Sequence, residues 1–504
     1  MYAVLFTVVH VAVHVLLYAV PRWLCLVCVR WPVQALSTLL GVNLRRGHAG
    51  EERRIRIFGP VGSPATSPRA RTRDRLGVTE ADLSNPVLHH DRHDHRRRTA
   101  AASAEEKEAP PSAWLRYCGP LYNGHIHTIL GAFRPPLRLR EPEREVVASY
   151  DGNPTCLDWW WPTNAETAAA AAKDGAAAIC VRALVVILPG LTGSSKEFYV
   201  RRMARQLLAS NMAVCVLNAR GVADTPLEQP QIFSALFTKD LRHVMQTCLT
   251  REKVQQRLQS RMAPLQTDNE LHGAVPIIGV AFSLGGLILT NYVSEQGEAG
   301  AASGFDVVYS ITSPHNVSDG AAALRVPLTR CLYDTVLYKG LYAYYERHKE
   351  VLQRLPGIDA AAVMGGAAPF AERLRTVQDF DEFITGPHFG FAGAEAYYAA
   401  ASNFCRLHHS HTPQMCLVAA NDPICGPPQP APRWLHVIDH HRGGLVYVEM
   451  PVGGHLGFLG CPWREWVQAP NVMEEFVLRS MTSFVASCEA EAEAEAKAAV
   501  KKDV

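Results

Sequence analysis

A short serine-containing turn constrains this chain more than any other feature of its sequence. The segment Ala281-Phe282-Ser283-Leu284-Gly285 follows the apolar run Ala274–Val280 and precedes a stretch with helical character. A serine on a tight turn between a strand and a helix projects its hydroxyl above the sheet, and the backbone N–H after it is free to face an oxyanion. Such a turn is crowded, and the small residues at both ends of the segment suit it. Ser283 is therefore a candidate nucleophile, although the pattern also occurs at ordinary strand-to-helix corners.

Three further apolar runs each end in a loop that carries a candidate site residue. The runs and their loops are Leu184–Leu188 before Pro189–Gly193, Met415–Ala420 before Asn421–Pro423, and Leu445–Val448 before Gly453–Gly457. The first loop offers backbone N–H groups to an oxyanion, the second an acid, Asp422, and the third a histidine, His455. The order serine, acid, histidine is that of the α/β-hydrolases, unlike the orders in chymotrypsin and subtilisin. Asp306 and Asp240 are alternative acids, but both precede the last strands, which favours Asp422.

Several separate motifs resemble one branch of the α/β-hydrolases. They are Asn123–Ile129, Asp151-Gly152 followed by Leu157–Trp159, Asn218–Gly221, Thr238–Leu241, Phe380–Glu382, Tyr397–Ser402 and Gly453–Gly457. Through them residues 113–486 resemble the α/β-hydrolase-domain lipases 1, 2 and 3, the bacterial YheT-type esterases and the plant embryogenesis-associated protein 8. The resemblance implies an α/β-hydrolase fold, with a mostly parallel central sheet flanked by helices. It also implies a serine carboxylic ester hydrolase, either a lipase or an esterase.

The chain departs from the pattern of this branch at three positions. Pro189 replaces the histidine of the family's H-G-L-T-G loop, Ala281 replaces the first glycine of the serine turn, and His127 stands where glutamine is usual. The expected oxyanion donors are the backbone N–H groups of Leu191 and Leu284, which do not depend on the lost histidine side chain. The departures therefore bear on catalytic efficiency more than on the type of reaction.

An insertion with helical periodicity lies between Ser313-Pro314 and Asp422, and we expect a helical cap over about residues 314–410. Its apolar residues, among them Leu337 and Leu341, could line an acyl pocket, although core packing accounts for them nearly as well. His315 and His388 could approach the site from this region. Isolated histidines in such positions are more often structural.

The amino-terminal residues predict a membrane anchor. Met1–Val20 carries no formal charge, and as a helix it would span about 30 Å, the thickness of the bilayer's hydrocarbon. A second apolar stretch, Trp23–Leu40, is interrupted by Arg30 and Pro32. A cleaved signal peptide is disfavoured, because the basic n-region and a clear cleavage site are missing. We expect residues 1–42 to form a single-pass anchor in the endoplasmic reticulum or another endomembrane, with an interfacial helix or a re-entrant pair as alternatives.

The side of the membrane that carries the catalytic domain stays open. Seven arginines follow the first apolar stretch, which by the positive-inside rule places the domain in the cytosol. They are Arg22, Arg30, Arg45, Arg46, Arg53, Arg54 and Arg56. The 13 scattered cysteines agree weakly with a reducing compartment. The sequon Asn316-Val317-Ser318, and the type II orientation usual for mammalian members of the branch, indicate the opposite side.

Two polar segments flank the predicted domain. Residues 43–112 are poor in apolar residues, and we expect a disordered basic linker. Its run His89–His95 could bind a metal, but a solvated linker explains the run better. No aromatic residue interleaves the arginines around that run, so nucleic-acid binding is not expected. Residues 487–504 form a charged tail, interpreted as a frayed helix or as disorder.

These features predict a membrane-anchored serine hydrolase that cleaves carboxylic esters of lipids through an acyl-enzyme, as an acylglycerol lipase or a phospholipase. Ser283, His455 and Asp422 are its expected catalytic residues, with Leu191 and Leu284 at the oxyanion, and no metal or organic cofactor is required. A carboxylesterase or thioesterase acting on small esters is the alternative, followed by a non-catalytic lipid-binding module. The lipid headgroup, the preferred acyl chain and the oligomeric state do not follow from the sequence.

Overall fold

One nine-stranded sheet organises the part of the chain that the computed structural model describes. Those residues are 55–61, 68–79, 82–83, 123–134, 137, 139–163, 181–261, 275–358, 374–460 and 467–502. The strands are β1 Arg56–Phe58, β2 Glu143–Ala148, β3 Pro154–Trp160, β4 Ala183–Leu188, β5 Met212–Leu217, β6 Ile277–Phe282, β7 Val307–Ile311, β8 Gln414–Ala419 and β9 Leu445–Met450. Their order is β1-β9-β8-β7-β6-β4-β5-β3-β2. The six strands β4 to β9 are all parallel to one another. Three pairs are antiparallel: β1 with β9, β2 with β3, and β3 with β5. The expected α/β-hydrolase fold with a mostly parallel sheet is confirmed.

Helices cover both faces of this sheet. Outside the β7–β8 connection they are α1 Pro68–Arg75, α2 Gly124–Ala132, α3 Phe198–Ala209, α4 Lys239–Thr247, α5 Arg251–Arg261 and α6 Leu284–Glu298. Within that connection they are α7 Val317–Leu324, α8 Pro327–Thr329, α9 Thr335–Leu352, α10 Val377–Phe380, α11 Gly386–His388 and α12 Ala394–Ala401. Single turns of π-helix occupy Arg330–Asp334 and Asp381–Thr385, and a 3-10 helix occupies Phe404–His409. The chain ends with α13 Ala431–His440 and α14 Val472–Lys502.

The central strands are apolar throughout because both of their faces are covered. In β4, Val185 and Ile187 face a core shared with α3 and α14, whereas Leu184 and Val186 face a core shared with α4 and α6. All four side chains are at most 1% exposed. Successive residues of a strand point to opposite faces, so a continuous apolar run is what a doubly covered strand requires.

The helices between β7 and β8 form a separate apolar layer. Leu341 and Tyr344 of α9 pack with Phe380 and with Phe233, which lies in the loop after β5. Gly221 in that loop adopts φ +70°, and a Cβ there would lie 2.8 Å from the ring of Tyr344. The two segments therefore approach too closely for any residue but glycine, which fixes the layer against the sheet's carboxyl edge.

The strand order places a crevice at the middle of the sheet. The chain passes from β4 to β5 on one side and then crosses to β6 on the other. Loops that leave β4 and β6 therefore diverge, and ligands bind at such a switch point in open α/β sheets. Ser283 follows β6 directly, and Pro189–Gly193 follows β4.

The expected disordered linker is wrong for part of residues 43–112. Arg56–Phe58 forms an edge strand that pairs antiparallel with β9, and Ile57 is completely buried in the main core. Helix α1 follows it, and its Thr72 hydroxyl donates to the carbonyl of Gly443 at 2.8 Å. The sequence signal failed because the apolar residues Ile55, Ile57 and Phe58 lie next to arginines, which lower the mean hydropathy of any window across them.

Helix α14 continues without a break through the predicted charged tail at residues 487–502. Its first turns are buried, and Glu474 receives two hydrogen bonds from Arg202 of α3, at 2.7 and 2.9 Å. Among the described residues no helix combines the length and the apolar character needed to cross a bilayer. The predicted anchor, residues 1–42, and the run His89–His95 lie outside those residues.

The edge strand generates a test of its own. We expect Ile57→Ala to lower the free energy of unfolding by about 2–5 kcal/mol, because it leaves a cavity in the main core. Val61→Ala, at a position that is 60% exposed on the same segment, should change it by less than about 0.5 kcal/mol. Urea unfolding of the two variants measures the difference. Equal effects would show that the strand contributes nothing to the folded core.

Candidate active site

The turn after β6 holds Ser283 in a strained conformation. Its φ and ψ are 52° and −121°, a region that residues other than glycine seldom adopt. The N–H of Ser283 donates to the carbonyl of Ile311 at 3.0 Å, which ties the turn to β7. A Cβ at Gly285 would lie 2.3 Å from the carbonyl oxygen of Pro189, and one at Gly286 only 1.7 Å from the Ser313 hydroxyl. The turn can therefore form only with glycine at both positions.

Ser283, His455 and Asp422 lie in one hydrogen-bonded chain, as their order in the sequence predicts. The hydroxyl of Ser283 is 3.1 Å from His455 Nε2. On the other side of the ring, His455 Nδ1 is 2.9 Å from Asp422 Oδ2. Asp306 and Asp240, the alternative acids, lie elsewhere: Asp306 pairs with Arg251 and Asp240 with the buried Arg220.

The carboxylate of Asp422 is buried and held from two sides. Its Oδ1 accepts hydrogen bonds from the N–H groups of Ile424 and Cys425, at 2.8 and 2.9 Å. Burial by itself raises the pKa of this acid, but the His455 ring and the two N–H groups outweigh it and lower the pKa below its ordinary value. The group therefore stays ionised and favours the tautomer of His455 that carries its proton on Nδ1.

Two polar side chains fix the loop that carries His455. Thr128 of α2 accepts a hydrogen bond from the His455 N–H at 2.8 Å and donates to the Gly124 carbonyl at 2.8 Å. The side-chain oxygen of Asn421 accepts from the N–H groups of Gly453 and Gly454, at 3.1 and 3.0 Å. Asn421 also precedes the acid in the chain, so one residue aligns the acid loop with the histidine loop.

The loop after β4 presents its backbone to the same place. The N–H of Gly190 donates to the Tyr199 hydroxyl at 2.9 Å, and the Tyr199 ring packs on Phe282, with centroids 4.9 Å apart. Leu191 and Leu284 border one cavity with Ser283 and His455. In the described part of the chain neither leucine N–H has a hydrogen-bond acceptor. Both are therefore available to an oxyanion, as expected from the sequence.

The cavity over Ser283 is largely apolar. It contains about 980 Å³ of space, including its opening to solvent, and the cap helices supply much of its wall. Leu337 and Leu341 of α9 are among its lining residues, together with Leu287 of α6. Its wall also holds one acidic residue, Asp381, which accepts a hydrogen bond from the Tyr398 hydroxyl at 2.9 Å. Burial raises the pKa of Asp381 to about 6, and nearby Asp334 adds to the shift.

The other histidines considered from the sequence have structural surroundings. His315 is buried between Asn403 and Ser310, and burial lowers its pKa to about 4. His388 contacts Gln231 and the carbonyl of Pro356. His127, which stands where glutamine is usual, accepts a hydrogen bond from the Leu459 N–H at 3.0 Å. It therefore supports the far end of the His455 loop.

Sequence reasoning missed the positioning residues Thr128, Asn421 and Tyr199. Thr128 and Asn421 lie within or next to motifs that the sequence already singles out, which was the available signal. Their roles could not be inferred because each acts on a backbone group distant in the chain: Thr128 is 327 residues from His455. Tyr199 carries no motif signal at all.

Comparisons with known proteins bear on this arrangement. No family model matches the chain. Embryogenesis-associated protein EMB8 of Picea glauca is 29% identical over 360 residues, which is 70% of this chain and 69% of EMB8. Monoacylglycerol lipase of Saccharomyces cerevisiae is 28% identical, over 57% of each chain. The human phospholipase ABHD3 is 24% identical, over 73% of this chain and 78% of that protein. The predicted resemblance is confirmed.

Two of these three relatives are named as enzymes that act on lipids, one as a lipase and one as a phospholipase. Among solved structures, a soluble variant of the yeast monoglyceride lipase has a TM-score of 0.39 at 13% identity, covering 70% of this chain and 98% of that one. That likeness is too distant to carry a conclusion.

The Thr128 hydrogen bond can be tested without reference to activity. Thr128→Val keeps the shape of the side chain but leaves the His455 N–H without its acceptor, which should cost about 1–3 kcal/mol. We expect faster hydrogen–deuterium exchange in the segment Gly453–Gly457. Thr247→Val is the matched control, since that hydroxyl also donates to the carbonyl four residues earlier in a helix. Unchanged exchange in Thr128→Val would remove its positioning role.

Proposed function

We propose that this protein is a serine hydrolase that cleaves carboxylic esters of lipids, as an acylglycerol lipase or a phospholipase. The observation that carries the proposal is the hydrogen-bonded chain Ser283–His455–Asp422 at a largely apolar cavity. The strain at Ser283 supports it, because unfavourable backbone geometry in a buried turn persists mainly where function requires it. A binding module would have no use for the full chain of three residues.

The proposed reaction begins at Ser283. His455 Nε2 accepts the hydroxyl proton while the Ser283 oxygen attacks the ester carbonyl, and the protonated ring then gives that proton to the leaving alcohol. Asp422 keeps the ring in the productive tautomer and stabilises its positive charge. Water, deprotonated by the same imidazole, releases the acyl group from Ser283. No step requires a metal or an organic cofactor.

The developing oxyanion would accept hydrogen bonds from Leu191 and Leu284. Each such donor contributes on the order of 3 kcal/mol to the stability of the transition state. Pro189 does not remove either donor, since it precedes Leu191 by two residues and the loop is held through Gly190 and Tyr199. The lost loop histidine therefore bears on rate rather than on the reaction type.

Two observations support a lipid ester as the substrate. The cavity wall is built mainly from aliphatic and aromatic side chains, which suit an acyl chain. Two relatives are named for lipid substrates: the yeast monoacylglycerol lipase and the human phospholipase. The uncharged segment Met1–Val20 adds a further argument, because an anchored enzyme meets lipids by lateral diffusion. A single-pass anchor in the endoplasmic reticulum or another endomembrane is part of the proposal.

The catalytic assignment predicts a graded loss of activity. A fluorophosphonate probe should label the protein at Ser283, and Ser283→Ala should abolish the labelling. Asp422→Asn should lower kcat roughly 10⁴-fold, because the amide favours the wrong tautomer of His455. Asp306→Asn is the matched control, at a surface ion pair, and should retain nearly full turnover. Persistent labelling of Ser283→Ala would move the nucleophile elsewhere, and near-normal turnover of Asp422→Asn would move the acid.

The substrate class predicts a dependence on acyl-chain length. Each buried methylene contributes about 0.8 kcal/mol, so kcat/KM should rise along a series of p-nitrophenyl esters until the cavity is full. Leu337→Trp should move the optimum to shorter chains by filling part of the cavity. Val336→Trp, on the adjacent and 64% exposed position of α9, should leave the optimum unchanged.

The same series separates the lipase from the small-ester alternative. An optimum at acetate, with no hydrolysis of detergent-dispersed acylglycerols or glycerophospholipids, would favour a carboxylesterase or thioesterase acting on small esters. An optimum that Leu337→Trp does not move would place the acyl chain outside this cavity.

A further inference from the structure

A thiol lies beside the pair formed by His455 and Asp422, on the side of the ring that faces away from Ser283. The sulfur of Cys425 is 3.6 Å from His455 Nδ1, which is itself 2.9 Å from Asp422 Oδ2. The three ligand atoms all lie within 4.8 Å of one another. In the described residues this is the one group of three or more such side chains with metal-ligand spacing. We call Asp422, Cys425 and His455 the relay cluster.

The backbone holds the relay cluster in place. Cys425 and Asp422 belong to one tight turn, because the Cys425 N–H donates to Asp422 Oδ1 at 2.9 Å. The thiol points back toward β7 and donates to the Thr312 carbonyl at 3.1 Å. Cys425 forms no disulfide. Its sulfur is therefore a free ligand atom whose position is fixed by its own turn and by β7.

A second cavity reaches the relay cluster from behind. It contains about 420 Å³ of space, including its opening, and both Asp422 and Cys425 line it. Ser283 and His455 border the acyl cavity instead, and neither lines the second one. An ion could therefore reach the sulfur and the carboxylate without passing the acyl cavity.

We propose that the relay cluster binds Zn²⁺ and that the bound ion switches the hydrolase off. The ligands would be Cys425 Sγ, His455 Nδ1 and Asp422 Oδ2, with water from the second cavity in the fourth position. Sulfur, imidazole nitrogen and carboxylate oxygen are the ligands that Zn²⁺ takes, in tetrahedral sets with bonds of about 2.0–2.3 Å. His455 Nδ1 lies 2.9 Å from the carboxylate and 3.6 Å from the sulfur, and all three atoms lie within 4.8 Å of one another, so small side-chain rotations reach that geometry. Binding rests on the relay cluster alone, whereas inhibition rests also on the proposed function.

The inhibition follows from where the protons go. On binding, the Cys425 thiol releases its proton to solvent and the sulfur donates an electron pair to the ion, since coordination deprotonates a thiol outright. The ion occupies His455 Nδ1, so the ring's single proton moves to Nε2. An Nε2 that carries a proton cannot accept one from Ser283, and Asp422 is no longer free to stabilise an imidazolium.

Without the ion the thiol does not interfere with hydrolysis. The thiol holds its proton in the hydrogen bond that it donates to the Thr312 carbonyl at 3.1 Å. The sulfur is therefore a neutral neighbour of the ring in the active protein. Zn²⁺ would be a reversible inhibitor, which a chelator removes.

Inhibition by Zn²⁺ tests the proposal in the full-length protein. Each variant is titrated with Zn²⁺ against a p-nitrophenyl ester, and its rates are normalised to its own rate with chelator. Loss of a direct ligand should weaken metal binding at least about tenfold, so Cys425→Ser should need at least that much more Zn²⁺ for half inhibition. Equal sensitivity of Cys425→Ser and the unaltered protein would overturn the proposal.

Two control variants address other zinc ligands of this chain. Cys405→Ser removes an exposed thiol outside the relay cluster. His440→Gln breaks a histidine pair on α13, where the rings of His436 and His440 lie 4.3 Å apart. Both variants should keep the sensitivity of the unaltered protein. If either one abolished inhibition instead, the inhibitory ion would bind outside the relay cluster and the proposal would fail.

A second measurement does not depend on turnover. Ser283→Ala protein is titrated with Co²⁺ alone, which gives a charge-transfer band in the near ultraviolet when a thiolate binds it. We expect that band at one ion per chain in Ser283→Ala and its loss in Ser283→Ala/Cys425→Ser. A band that survives the double substitution, or no band in either protein, would refute the site. Metal binding by a protein that hydrolyses no ester would instead leave the site standing and refute the proposed function.

Discussion

The close approach of backbone segments at the end of β6 is the constraint on which the rest of the site depends. Gly285 and Gly286 leave no room for a Cβ, because the loop after β4 and the loop after β7 press on the turn from two sides. Those loops carry the candidate oxyanion donor Leu191 and the Ser313 hydroxyl. The contact that forces Ser283 into its strained conformation thus also sets the distance between the serine and its backbone donors. A looser turn would relax the strain at Ser283, and it would also lose the alignment of the serine with its backbone donors.

The buried acid Asp422 is likewise held in place by backbone groups of its own turn. Asp422 is 6% exposed, and a carboxylate so placed requires hydrogen bonds to remain charged. Two N–H groups of its own turn satisfy one oxygen, which leaves the other for His455. Asn421, which directly precedes Asp422, holds the histidine loop. The five residues Asn421–Cys425 therefore position two of the three residues of the hydrogen-bonded chain, Asp422 and His455.

The central sheet and the three site residues were predictable because their signals are local. Apolar runs such as Leu184–Leu188 predict the buried strands, and Ser283, Asp422 and His455 each follow such a run. What could not be predicted depends on contacts distant in the sequence. The pairing of Arg56–Phe58 with β9 joins residues almost 400 positions apart, and three residues among arginines give no periodic signal. Thr128 accepts a hydrogen bond from the His455 N–H, 327 residues away, and no spacing rule encodes that contact. Tyr199 holds Gly190, only nine residues away, but it belongs to no motif.

Strand β1 changes how far the hydrolase domain can stand from a membrane. If the domain began at residue 113, a predicted anchor at 1–42 would be joined to it by 70 residues, which extend to at most about 240 Å. Because β1 pairs with β9, only residues 43–55 would separate a predicted anchor at 1–42 from the sheet, and they reach at most about 45 Å. With so short a connection, the acyl cavity would meet lipids of the membrane that carries the anchor, rather than lipids of a second membrane facing it.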